Sequence, residues 1–561
     1  MFSNYLELEA LGGKVLQRVD LGDPRADLPE LNRIVARVED LLANLLRGRA
    51  LLKTKLNQLD SPIINLPPEI ISHIFIFCLP DFNDYNPETF VRGDPPVPFL
   101  IGAVCRSWRT IAWSTPTLWS CLSLHLSTQN FTILIDLMDE WLPRSGELPL
   151  SIRLSCDPPS ENRRDVIAEG YPQIYEMIHT INDCYSHRLH ALDLRIPVHL
   201  FKEFHIHWSD SILESLNIDP PDGQLDSDHI LELGCTPRLR RLHLSAIYLK
   251  SIQIQWSNIT HVHASEFYAD ECLEILRRAP QLVWCKFPFM ISGTASYPEP
   301  EMPLIVPSLK FLHISREKRV SFAVFLNKLV LPSLDELFYK GSVEATEWEL
   351  LISLLTRSAC PLHSLTLQYA HNTSEFDLIR LVQKVPRLRT LCISSKENLP
   401  AILTDQLLSI MSTRDQGHEN DFLSELELFK YDGLITFSLN TLLSLLSATG
   451  SLAAPCISSD SRCASQSQTL LKSNCRSFLP ALKTLDMEFS QDTYEPITTD
   501  VIPALVELLE RGMRIDLRLQ HSRDILEESI QDHLPVYLDR YLALRNGRPP
   551  CSESASVETP V

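Results

Sequence analysis

Apolar residues recur along this chain with two successive periods, and each predicts a different kind of element. Leu31, Ile34, Val38, Leu41 and Leu45 follow at spacings of 3, 4, 3 and 4, with Arg33, Arg37, Glu39 and Asp40 between them. That pattern puts one apolar stripe on a helix. Continuing the register places Gly48 and Lys55 on the stripe. Paired coils need three or four clean heptads, so packing against the chain itself is favoured over dimerisation of this coiled-coil-like segment. From Ser61 to about Leu126, three helix-sized apolar patterns are divided by proline-rich turns. The Pro80–Pro98 connection, rich in Asp, Asn, Pro and Gly, predicts an exposed loop.

Beyond residue 140 the period changes. The frame L-x-x-L-x-L, with apolar replacements, occurs at Leu189-Leu192-Leu194, Leu213-Leu216-Ile218, Leu239-Leu242-Leu244, Leu309-Leu312-Ile314, Leu362-Leu365-Leu367, Leu388-Leu391-Ile393, Leu423-Leu426-Leu428 and Leu482-Leu485-Met487. Weaker copies begin at Leu282 and Leu334. First leucines at 282, 309, 334, 362 and 388 are 27, 25, 28 and 26 residues apart, within the roughly 20 to 29 of leucine-rich repeats. Helical patterns such as Trp348, Leu351 and Leu355 lie between the strands, and Pro280, Pro332, Pro361 and Pro386 each stop a helix before the next strand. A β-then-α unit of this size cannot bury its apolar face alone, so neighbours are expected to stack into a curved solenoid.

The expected fold is an α+β/α/β repeat: a short N-terminal helix over 1–60, a three-helix module over 61–125, and an irregular leucine-rich-repeat-like α/β solenoid over 126–545 with a parallel sheet on its concave face. The serine-rich stretch Ser447–Ser477 reads as a loop, and 546–561 as a disordered tail.

Composition narrows the function classes. The 561 residues exceed one ordinary core, and 44% apolar with 22% charged residues suits a folded protein. A net charge of −20 argues against nucleic acid and leaves protein partners. The 14 cysteines form no C-x-x-C pair and read as reduced and mostly buried. The start of the sequence lacks a basic-then-apolar segment, and the apolar stretch Ile70–Leu79 is too short for a membrane span, so a cytoplasmic or nuclear protein is expected.

The segment Ile64-Asn65-Leu66-Pro67-Pro68-Glu69-Ile70-Ile71-Ser72-His73-Ile74-Phe75 opens with prolines at the first helical positions and Glu69 in the first turn. Val104-Cys105-Arg106-Ser107-Trp108-Arg109 and Leu118-Trp119 follow. This ordered set resembles the F-box family, whose pattern is L-P-x-E-I, a V-C-R-x-W-R helix and a final L-W. With its N-terminal helix and degenerate solenoid, the layout looks like the F-box proteins abundant in mushroom-forming fungi. The Pro80–Pro98 loop is longer than in a minimal F-box.

The resemblance implies a substrate-recognition subunit of a Skp-cullin-F-box ubiquitin ligase. It would bind a Skp-type adaptor, and through it a cullin, with residues drawn from Leu66, Pro67, Pro68, Ile70, Ile71, Ile74, Phe75, Val104, Cys105, Trp108, Leu118 and Trp119. The same residues suit an internal core, and Trp108 suits both roles. The alternative is an adaptor-bound scaffold or regulator that promotes no ubiquitin transfer.

Strand side chains alternate, so the target-facing candidates are Arg241, His243, Trp284, Phe311, His313, Phe338 and Phe429, accompanied by Lys286, Glu336, Glu425, Glu427, Asp486 and Glu488. Taken singly, each reads first as an ordinary solvated sheet position. No G-x-G-x-x-G, G-x-x-x-x-G-K-[ST], G-x-S-x-G or H-E-x-x-H occurs. The pairs His205-His207 and His261-His263 lack an identifiable third ligand. A non-catalytic protein without metal or cofactor is expected, with a hydrolase on a repeat scaffold as the trailing reading.

Overall fold

A computed structural model of the chain describes residues 24–60, 63, 66–79, 96–126, 131–156, 172–204, 211–221, 223, 231–291, 297–316, 323–341, 345–368, 375–395, 403–412, 423, 425–434, 436–438, 440–442, 445–446, 482–489, 497, 499, 501–519 and 523–545. Residues 80–95 of the loop expected over Pro80–Pro98, the serine-rich insert, the tail, Ile64, Asn65, His205 and His207 lie outside the described residues, and the end of that expected loop is helical from Val97. The chain divides into two compact units: residues 1–122 with 136–150, and 123–135 with 151–561.

The first unit is helical. Its longest element, Pro24–Asp60, turns a different face inward from the one the sequence suggests. Ile34 is buried, Leu31 and Leu41 are half-buried, and Val38 and Leu45 face solvent. The inward line therefore passes through 34, 41 and 48, and the 3-4 template drew Val38 and Leu45 from a neighbouring face.

Three short helices follow. Pro68–Ile76 starts where Pro67 and Pro68 pre-set the backbone, and it buries Ile71 and Phe75. The expected single V-C-R-x-W-R helix is two, Val97–Val104 and Arg106–Trp113, because Cys105 is extended (φ −158°) and its Sγ accepts the Trp108 amide at 3.4 Å. The helices meet where Gly102 lies under the Trp113 ring, and Arg109 Nε donates to Gly102 O at 2.8 Å.

The core of this unit is aromatic. Trp119, in the 3-10 turn Pro116–Trp119, is buried and donates Nε1–H to Ala112 O at 2.9 Å. Trp141 in turn donates to Trp119 O at 2.8 Å. Phe99, Trp113, Trp119 and Trp141 pack edge to face with centroids 4.8 to 5.9 Å apart, a geometry that aromatic quadrupoles favour. The Arg144 guanidinium lies 4.8 Å from the Trp119 ring centre. Residues 136–150 thus complete a core that the predicted boundary at 125 leaves open.

The second unit is built on a parallel sheet. Among the described residues sixteen strands join it, and along its main path spatial order follows chain order. Adjacent strands from Leu189–Arg195 to Arg514–Leu519 pair in parallel, and Arg523–Asp524 closes the edge antiparallel. One row of partners runs Leu337, Leu365, Leu391, Phe429, Leu485, Ile515, and the next Tyr339, Leu367, Ile393, Tyr431, Met487, Leu517. All twelve are buried, each contributing roughly 1.5 to 3 kcal/mol for an aliphatic or Phe side chain.

Helices such as Ala269–Arg278, Ala345–Ser358 and Glu375–Val382 fill the intervals, burying Trp348, Leu351 and Leu355 as predicted. The weak copies at Leu282 and Leu334 are full repeats, with Cys285 and Phe287, and Leu337 and Tyr339, pointing inward. This is a solenoid-like α/β repeat.

Two sequence readings are corrected here. The repeat assigned to Leu423-Leu426-Leu428 is Leu426-Phe429-Tyr431, because Phe429 pairs with Leu391 and Tyr431 with Ile393. Phe429 is therefore fully buried and is not a target-facing residue. Glu425 and Glu427 precede that strand, beside Arg389 at 3.5 Å and Lys483 at 2.7 Å. The cysteines are also less uniformly buried than expected: Cys78, Cys184 and Cys235 are exposed.

Candidate protein-interaction surfaces

In the first unit, the residues singled out by sequence separate into two groups. Ile71, Phe75, Leu118 and Trp119 are internal, at 1% exposure or less. They hold the unit together, and a partner could touch them only after the core opened. Leu66, Pro67, Pro68, Ile70, Ile74 and Val104 are exposed. Cys105 caps a helix, and half-buried Trp108 sits 4.9 Å from Phe75 by ring centroids, so it links the core to the surface.

The helix beginning at Pro68 sorts these groups by its own geometry. Ile71 and Phe75, four residues apart, face inward, while Ile70 (49% exposed), Ile74 (42%) and Phe77 at its C-terminal end (83%) form an adjoining outward row. Leu100 and Val104 make a second such row on the next helix. Phe77 and Leu100 were not among the predicted residues. The signal for them was the same i, i+3/i+4 spacing continued past the motif.

In the second unit, the sheet positions between the buried rows form a ladder on its open face: His243, His263, Lys286, His313 and Phe338 stand side by side. A parallel row holds Arg241, His261, Trp284, Phe311 and Glu336. Trp284 and Phe311 stack at 5.1 Å with planes 7° apart, and His313 stands 4.0 Å from Phe338. Four of the predicted target residues, Trp284, Phe311, His313 and Phe338, thus meet on three adjacent strands. His243 lies on the same ladder but is only 8% exposed, and Arg241 is occupied by Glu214 at 3.3 Å.

The flanks differ in character from this aromatic centre. Toward the N-terminal strands, buried Arg153 and Asp193 form an ion pair to which Asn217 Nδ2 donates at 2.8 Å. Toward the C-terminal strands, Asp486 accepts from Lys430 at 2.8 Å and from Arg518 at 2.9 Å. Those charges satisfy one another. The centre offers planar apolar faces flanked by Lys286 and Lys340.

Burial shapes the protonation of the ladder. It pushes His243 down to about 2, His263 to about 4 and His313 to about 3, with Lys286 lowering each further. Lys286 is itself lowered by burial and by Lys340. These imidazoles are neutral near pH 7 and act as flat, weakly polar surfaces. Among the described residues no group of three or more His, Cys, Asp or Glu side chains is arranged to hold a metal ion. No helix among them is long and apolar enough to cross a membrane.

No protein-family model matches this chain. No curated protein matches it either. Among solved structures it is similar to one titled "Crystal structure of TLR13-ssRNA13 complex", at 13% identity and a TM-score of 0.32. The match covers 68% of this chain and 52% of that chain, so this chain spans about half the length of its neighbour. The solenoid-like fold rests on the strand pairing, and the described surface carries an exposed apolar helix row and an aromatic sheet face.

Proposed function

We propose that the chain is an F-box protein: a non-catalytic receptor whose helical unit docks on a Skp-type adaptor, and through it a cullin, while the open face of its sheet holds a target protein. The observation that carries this reading is the outward row Leu66, Ile70, Ile74 and Phe77, on an element whose inward side is already closed by Ile71 and Phe75. Apolar side chains left out of a finished core suit a partner that buries them. Roughly 1.5 to 3 kcal/mol per fully buried Leu, Ile or Phe lets a handful sustain a complex after association costs.

In this role the chain breaks no bond. It raises the effective concentration of a target lysine near a ubiquitin-charged enzyme on the same assembly. The aromatic centre around Trp284, Phe311, His313 and Phe338 supports a protein target, since aromatic side chains are enriched where interfaces concentrate their energy.

Co-expression with a Skp-type adaptor followed by size-exclusion chromatography tests the docking. A 1:1 complex is expected for wild type and its loss for Ile70→Asp/Ile74→Asp, whose residues are exposed and whose fold is therefore retained. A folded wild type that elutes apart from the adaptor overturns the reading. Turnover of captured proteins under cullin inhibition separates a ligase receptor from a scaffold.

A further inference from the structure

The Pro24–Asp60 helix carries an apolar seam that its own unit does not cover. Leu28, Leu31, Val35, Val38, Leu42, Leu45, Arg49, Leu52 and Leu56 fall at strictly alternating spacings of three and four, four heptads with one interruption. Leu28, Val35, Val38, Leu42, Leu45, Leu52 and Leu56 are each 45% exposed or more. A seam of that length is what a two-stranded coil requires. Ile34, Leu41 and Gly48, the line turned toward the chain itself, lie to one side of it.

Charge on the helix points to the occupant. Taking Leu28, Val35, Leu42, Arg49 and Leu56 as one core position and Leu31, Val38, Leu45 and Leu52 as the other, Glu39 and Lys53 are equivalent flanking residues. In an antiparallel pair of identical helices, Leu31 meets Leu56, Val35 meets Leu52, Val38 meets Arg49 and Leu42 meets Leu45. That one register also brings Glu39 against Lys53 twice and places Arg49 within reach of the Glu39 side chain. Leu46, exposed and apolar at a position where coils usually carry charge, then covers its own copy at the two-fold axis. A parallel pair instead sets Arg49 against Arg49 and Glu39 against Ile34.

We propose that this helix is the dimerisation element of the chain, and that its partner is the same helix of a second copy, antiparallel and centred between Leu42 and Leu45. The inference is independent of the adaptor reading, because self-association is measured with no other protein present.

Sedimentation equilibrium of the full chain at micromolar concentration is the test. Wild type is expected at twice the chain mass, and Leu42→Asp/Leu45→Asp at the single mass with its circular dichroism retained. Glu39→Lys alone and Lys53→Glu alone are each expected to weaken the dimer at least tenfold, because each opposes like charges twice. Glu39→Lys/Lys53→Glu is expected to restore wild-type affinity. A monomeric wild type overturns the proposal. So does a double variant no tighter than the singles, the result of parallel pairing or of a foreign helix as partner.

Discussion

Replacing Gly102 by alanine would force a methyl group into the contact between the Val97–Val104 and Arg106–Trp113 helices. A Cβ at that position stands 2.3 Å from Trp113 Cζ3 and 2.8 Å from Cη2, so the ring must move by more than an ångström to restore ordinary contact. It has little room, because Phe99 and Trp119 meet its edges and faces at 5.9 and 5.2 Å and Arg144 lies 5.3 Å from its centre. Overpacking of this kind costs about 1 to 3 kcal/mol or more, and alanine in a helix returns at most about 1 kcal/mol relative to glycine. The net expectation is a loss of about 1 to 2 kcal/mol, confined to the helical unit. Hydrogen exchange read by mass spectrometry on peptides spanning 97–119 suits a two-unit chain, since it reports local opening, and roughly tenfold faster exchange corresponds to about 1.4 kcal/mol. Adding Trp113→Phe should recover part of the loss, the two changes being coupled through one contact. Exchange that is unchanged or slower in Gly102→Ala would refute the packing described.

The corrected repeat predicts opposite consequences for two phenylalanines: Phe429→Ala should destabilise the sheet by about 3 to 5 kcal/mol as a core truncation, whereas the half-buried, open-face Phe338 should tolerate alanine with a much smaller loss, both read by denaturant unfolding. Equal losses would contradict the register. The buried histidines predict acid sensitivity: their folded pKa values lie below the unfolded value of about 6.5, so the unfolded chain binds more protons and stability falls as pH drops below about 6.5. At pH 5 His243 and His263 each account for about 2 kcal/mol of that loss, and a His263→Asn variant should show a shallower decline in the protection of residues 241–265 between pH 7 and 5. A decline as steep as wild type would contradict this account of the ladder.

The sheet was largely legible because two signals coincide there: inward residues two apart, such as Leu365 and Leu367, and a return of that pair after about one repeat. It failed where the signals separate. Leu423, Leu426 and Leu428 fit the template three residues before the true frame of Leu426, Phe429 and Tyr431, and only the neighbouring strand's register decides between them. The strand His261–Ser265 was not recognised as a copy of the repeat because its inward pair is Val262 and Ala264, and alanine carries little apolar weight. Arg514–Leu519 lacks a leading leucine, since Gly512 occupies that place.

In the helical unit the motif residues fall on both the core and the surface, and the motif alone did not say which was which. A pattern of leucine and tryptophan fits a core and a docking face equally well, and the direction of Trp119 is set by its bond to Ala112 O and by Trp141, a residue outside the motif. The N-terminal helix holds two interleaved stripes sharing Leu31, Val38 and Leu45, so spacing alone could not separate the inward line from the exposed seam.

The proposed function rests on the outward row of the Pro68–Ile76 helix as an adaptor-docking surface. Isothermal titration of the purified chain with a Skp-type adaptor tests it most directly, comparing wild type with Ile74→Ala and with Phe338→Ala. Saturable 1:1 binding is expected, at least tenfold weaker in Ile74→Ala, where the 42% exposed side chain would be lost from the docking surface, and unchanged in Phe338→Ala, which lies on the sheet's open face. Absence of binding by a folded wild type, or equal affinity in all three proteins, would contradict it.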